Sequence, residues 1–289
     1  MNEVQILIER LKELKAENSS ESYTHIKNIL SNQILPIPLV THKPYRIIRT
    51  RSHREGKKLF EKIDDLTFRK DILNINHFGR ANEPGQGLFY CNDNLNEETG
   101  FSESMNVFRN NPDSKNEMIT IGTWDVIREL NLAVILPSDY KKVDNSLLNS
   151  AKESYNVLDD GSSNFQQLKV MLEFIANEFT LDKEKDNSNY KISCAFVNYI
   201  KDQFPDLDGV VYASVKSALK GENIVLWQDV AENYLKLIGA RKRTFKLMSN
   251  KNFFETEYCD TEQIDYEKGT IRWKKPVANI GYSNCGLKC

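Results

Sequence analysis

Four short stretches of this chain hold side chains whose types could do chemistry. The run YRIIRTR places Arg46, Arg49 and Arg51 around a strand-like segment. The sequence GRAN at residues 79–82 brings Arg80, and PGQG at 84–87 leads into the apolar LFY that ends at Tyr90. TGFSE closes on Glu103, and DGVVYAS closes on Ser214, with Asn223 in the GEN that follows. Arginine offers planar, paired donors that match phosphate oxygens, which a lysine point charge does not. A tyrosine gives a flat face for stacking. A fixed carboxylate stabilises positive charge developing beside it, and serine and asparagine supply hydrogen bonds. Each residue also has an ordinary reading. A strand arginine is commonly ion-paired or solvated, Tyr90 ends an apolar run that suits a core, Glu103 near a helix start suits a cap or the helix dipole, and Ser214 suits a turn. Glu97 and Glu98 compete with Glu103.

Taken in order, these motifs resemble the RES domain family, over roughly Tyr45 to Leu237. The family is similar in fold to the ADP-ribosyltransferases and destroys NAD⁺, commonly as the toxin half of a bacterial toxin–antitoxin pair. The resemblance implies an α+β fold with a mixed β core and surrounding helices. It gives Arg80 the arginine of GRAN, Tyr90 the tyrosine after the apolar run, Glu103 the acidic residue and Ser214 the serine. Arg49 is placed as the first arginine, with Arg46 and Arg51 as the other candidates. Ala213 stands where the family has proline, and the stretch between Glu103 and Ser214 is longer than in compact members.

Cleaving the nicotinamide–ribose bond passes through an oxocarbenium-like state, as glycoside hydrolysis does. Glu103 would stabilise that charge, Arg80 and Arg49 would grip the pyrophosphate, Tyr90 would stack on nicotinamide, and Ser214 and Asn223 would hold the amide or a ribose hydroxyl. The expectation is an NAD⁺-degrading enzyme with NAD as substrate, no metal, and an antitoxin or regulatory protein as partner. Two alternatives stand beside it: an ADP-ribosyltransferase acting on a protein or other acceptor, and a catalytically silent interaction module docking through its first helices.

The elements that must position these residues read as follows. Val4, Leu7, Ile8, Leu11 and Leu14 form one apolar stripe of a helix over 3–16. A second helix over Tyr23–Ile34 stops at Pro36 and Pro38. Strands are expected at Tyr45–Thr50, Gly87–Cys91, Met118–Trp124, Leu132–Leu136, Gly209–Tyr212, Asn223–Trp227 and within Tyr234–Met248. Asn92–Gly100 reads as a loop, with a helical turn starting near Thr99–Glu103. A long helix carries Phe165, Leu168, Met171, Leu172, Ile175 and Phe179, broken by the charged run Asp182–Asn189, and a shorter one lies around Cys194–Phe204. The mixture lacks regular βαβ alternation, which favours α+β. Residues 1–38 are expected as a helical extension and 39–289 as a catalytic domain with a helical insertion around 140–205.

The totals narrow the classes. With 39 Lys+Arg against 41 Asp+Glu, no excess of positive charge argues for nucleic acid or anionic membranes. No stretch approaches the roughly 20 apolar residues of a membrane helix, and the charged start lacks a signal-peptide apolar region, so a cytoplasmic protein is expected. The four histidines show no HExxH spacing and the five cysteines no CxxC pair. GxGxxG, GxxxxGK[ST] and GxSxG are missing, so Rossmann, P-loop and α/β-hydrolase readings lack their residues.

Overall fold

The computed structural model describes residues 2–17, 19–44, 46–53, 60–93, 97–104, 116–136, 146–159, 161–181, 190–214, 221–247 and 253–278. Helices are α1 (Glu3–Ala16), α2 (Ser20–Ser31), α3 (Glu97–Ser104), α4 (Ser146–Leu158), α5 (Ser163–Thr180), α6 (Lys191–Gln203) and α7 (Gln228–Tyr234). Strands are β1 (Leu39–His42), β2 (Arg46–Ser52), β3 (Phe89–Asp93), β4 (Asn116–Val126), β5 (Leu130–Ile135), β6 (Gly209–Ala213), β7 (Glu222–Leu226), β8 (Leu235–Leu247), β9 (Phe253–Asp265), β10 (Thr270–Trp273) and β11 (Val277–Ala278). Both parallel and antiparallel pairs occur beside these helices, and the fold is α+β. The chain divides into two interleaved units: residues 1–42, 69–88 and 130–228 form one, and residues 43–68, 89–129 and 229–289 the other.

In the first unit, β1 runs antiparallel to β5, β5 parallel to β6, and β6 antiparallel to β7. β6 and β7 are buried along their whole length, as a strand covered on both faces must be. Gly209 is required by this packing, since a Cβ there would lie 2.0 Å from the Val225 carbonyl oxygen. Helices α1 and α2 belong to this unit, so residues 1–38 do not stand as a unit of their own. Asn2 caps α1 through a bond from the Gln5 amide, and Val4, Ile8, Leu11 and Leu14 are buried as the stripe requires. Each such side chain contributes roughly 1.5–3 kcal/mol on full burial. Polar ties add to the packing. Lys15 Nζ lies 2.6 Å from Glu178 on α5, and the buried Lys191 of α6 donates to Ser22 Oγ at 3.1 Å and to the Glu17 carbonyl.

In the second unit, six strands pair antiparallel in the order β3-β2-β4-β8-β9-β10, and β11 pairs with β9. Successive strand residues point to opposite faces. Ile47, Arg49 and Arg51 therefore share one face of β2, while Ile48, Thr50 and Ser52 share the other. β3 extends to Asp93, and α3 starts at Glu97 where a loop to Gly100 was expected. β1, α4, α7, β9, β10 and β11 were not anticipated as elements. Tyr45, the charged run 182–189, Cys285 and Cys289 lie outside the described residues.

Candidate functional site

Arg49, Tyr90 and Glu103 belong to the second unit. Arg49 is 8 % exposed. Its Nε donates to the Thr67 carbonyl at 3.1 Å and its Nη1 to the Tyr90 carbonyl at 2.6 Å. The guanidinium sits 5.1 Å from the Phe89 ring centroid. Burial first, and the like charge of Arg51 second, lower its pKa to about 9, so it remains a cation at neutral pH. The two neighbouring arginines are also engaged: Arg51 Nη1 donates to the Asp65 carbonyl, and Arg46 Nε lies 3.3 Å from Asp125.

Helix α3 packs on the opposite face of β2. A Cβ on Gly100 would lie 2.8 Å from Thr50 Oγ1 and 3.0 Å from Asn92 Oδ1. Glycine in TGFSE thus lets the helix approach the sheet closely. Ile48 pairs with Asn92 across β2 and β3, so alternation puts Tyr90 on this same α3 face. Tyr90 and Glu103 are both half-buried there, Glu103 one turn beyond Gly100. The sheet therefore groups Tyr90 with the Glu103 helix and sends the Arg49 guanidinium to the other side.

Arg80, Ser214 and Asn223 belong to the first unit. Ser214 is fully buried, and its amide donates to the Gly221 carbonyl at 2.8 Å. Tyr212 pairs with Asn223, so Tyr212, Ser214 and Asn223 project to one face. The Phe179 ring of α5 lies 5.1 Å from that of Tyr212. Arg80 reaches the same end of α5: its Nη2 donates to the Leu181 carbonyl at 3.2 Å, and its guanidinium lies 5.4 Å from the Tyr190 ring. A cation at a helix C-terminus satisfies an orphan carbonyl and suits the dipole. The end of α5 so gathers the Arg80 loop and the Tyr212–Ser214 strand end.

The Arg80 loop is tightly built. Gly79 donates to the Asn82 carbonyl at 2.8 Å. Pro84 and Gly85, the latter at φ +80°, form the corner of a turn closed by the Gln86 amide on the Glu83 carbonyl at 3.1 Å. That geometry needs glycine at the third turn position. Gln86 Nε2 donates to Asn198 Oδ1 at 3.3 Å, and Asn198 Nδ2 to the Tyr23 hydroxyl at 3.1 Å. The Tyr23 ring lies 4.7 Å from Phe78, and its hydroxyl 3.3 Å from Cys194 Sγ. Helix α2 thereby holds the loop on both sides of Arg80. Sequence reasoning singled out Gln86 as part of PGQ but not Tyr23 or Asn198, whose only signal was a polar atom on an otherwise apolar helix face.

Among the described residues no group of three His, Cys, Asp or Glu is placed to hold a metal ion, and no helix is long and apolar enough to cross a membrane. In comparisons by sequence, no protein-family model and no curated protein matches the chain.

Proposed function

We propose that this protein cleaves the nicotinamide–ribose bond of NAD⁺. The observation that carries the reading is the pairing of Tyr90 and the Glu103 helix on one face of one sheet. An aromatic ring and a carboxylate are the two groups that nicotinamide release calls for: a surface for the leaving ring and a negative charge for the oxocarbenium-like ribose. The ordered RES-like motifs support the same assignment and give Arg80 the pyrophosphate, and Ser214 and Asn223 the amide or a ribose hydroxyl. Arg49 is taken out of this set. Two of its nitrogens are spent on backbone carbonyls, which makes it a brace for β3 and the segment around Thr67. Depletion of NAD⁺ would arrest a growing cell, consistent with a toxin or defence effector restrained by a partner protein.

The test is to incubate purified protein with NAD⁺ and identify products by chromatography and mass spectrometry. Free nicotinamide with ADP-ribose is expected. Nicotinamide with ADP-ribose attached to a protein or other acceptor would move the assignment to a transferase. Unchanged NAD⁺ would overturn both.

A further inference from the structure

The second unit contains a groove that plays no part in the NAD⁺ reading. It lies on the β4–β8–β9 sheet, has a volume of about 660 Å³, and does not include Tyr90 or Glu103 in its lining. That volume falls within the roughly 300–1,000 Å³ of small-molecule sites. Its origin is a bulge. β8 pairs Leu237 with Trp124 and Gly239 with Thr123, which leaves Ile238 as the extra residue. Such a bulge bends and twists the strand. Gly239 then leaves the floor open, since a Cβ there would meet no atom within 4 Å.

The walls differ in charge. Asp260 is matched by Arg241 at 2.7 Å and Glu262 by Arg272 at 2.9 Å. Lys236 faces Asp125 across β4 and β8, but Asp125 is paired with Arg46 at 3.3 Å, and Lys236 itself makes no ion pair among the described residues. Its Nζ stands 5.0 Å from the Tyr266 ring. The Tyr266 hydroxyl donates to the Leu237 carbonyl, which anchors the ring, while the residue as a whole is 48 % exposed. Ile121 and Ile264 supply apolar surface. A fixed aromatic ring, an apolar floor and a cation outside any ion pair complement a ligand with a flat body and a negative group.

We propose that this groove binds a small planar anion of mononucleotide size, its ring against Tyr266 and the isoleucines and its anionic group at Lys236. The proposal does not rest on NAD⁺ cleavage. The experiment titrates AMP into the full chain by calorimetry, with adenosine and inorganic phosphate as probes carrying one feature each. Saturable AMP binding is expected, with adenosine and phosphate each weaker by about tenfold or more. Gly239→Phe should fill the floor without strain and abolish AMP binding while the melting temperature holds. Lys236→Met should weaken AMP by about tenfold, down to the affinity of adenosine, and leave adenosine unchanged. No saturable AMP binding by the wild-type chain overturns the proposal, as does adenosine binding as tightly as AMP or undiminished AMP binding by a folded Gly239→Phe. If Gly239→Phe does not fold, AMP affinity unchanged in Lys236→Met overturns it instead. NAD⁺ consumption by Gly239→Phe, measured separately, is expected to match wild type.

Discussion

Arg49 Nη1 donates to the carbonyl oxygen of Tyr90 at 2.6 Å, so a strand arginine is bound to the backbone of the very residue expected to share a ligand with it. The same strand register turns the Tyr90 side chain to the α3 face. One residue thus gives its backbone to a structural bond on one side and its ring to the other face of the sheet.

Arg49→Lys should therefore cost stability. A single ammonium cannot reach both carbonyls in the guanidinium's geometry, and a buried acceptor left unsatisfied costs roughly 1–3 kcal/mol. Calorimetric unfolding should show a clearly lower melting temperature. An unchanged value would mean that Thr67 and Tyr90 find other donors.

Cys194 makes alkaline stability readable. Burial pushes its thiol from 9.0 up to about 12, and burial likewise raises the Tyr23 hydroxyl beside it. The unfolded chain therefore releases protons that the folded chain keeps, so this contribution is intact below pH 9 and is lost as pH rises toward about 12. Cys194→Ala should flatten the fall in stability across that window, measured by denaturant unfolding at several pH values. A slope as steep as wild type would place the alkaline loss elsewhere.

Removing residues 1–35 should lower the melting temperature sharply. The deletion uncovers the surface buried by Leu11, Leu14, Ile26 and Leu30 and strips Lys191 and Asn198 of partners on α2 and the turn before it. Unchanged stability with loss of a partner protein would show that these helices serve docking instead.

Arg80→Lys is expected to lose most NAD⁺ cleavage although the charge is kept, because a point charge does not reproduce a bidentate fork at pyrophosphate. Since Arg80 also donates to the Leu181 carbonyl, melting temperature and turnover are measured together. Normal turnover in a folded variant would remove Arg80 from phosphate binding.

Glu103→Gln keeps shape and hydrogen bonding but removes the negative charge. The loss should fall on kcat rather than KM, on the order of a hundredfold. NAD⁺ content after induced expression of each form, at matched protein levels, checks this in cells. Equal depletion by both would dismiss Glu103 and make Glu97 and Glu98 the next residues to test.

The sequence by itself determined what depends on near neighbours. The stripe Val4, Ile8, Leu11 and Leu14 marks one face of α1 at helical spacing, and Phe165, Met171, Ile175 and Phe179 do the same for α5. The strand cores at Arg46–Ser52 and Gly209–Ala213 follow from β-branched and aromatic runs, and Pro84-Gly85 announces its turn. The α+β class followed from the same local signals. Tertiary structure decided which face each strand residue uses and which segments share a unit. A one-residue change of register moves every side chain to the other face of a sheet, and nothing within YRIIRTR states whether Ile48 or Arg49 meets α3. That was settled by pairing with Asn92, more than forty positions along the chain, and by the contact of Gly100 with Thr50. For the same reason the helices at 3–31 read as an extension in sequence but are part of a core. Their partners Glu178, Lys191 and Asn198 lie more than 160 residues away, and only folding brings such distant groups within reach.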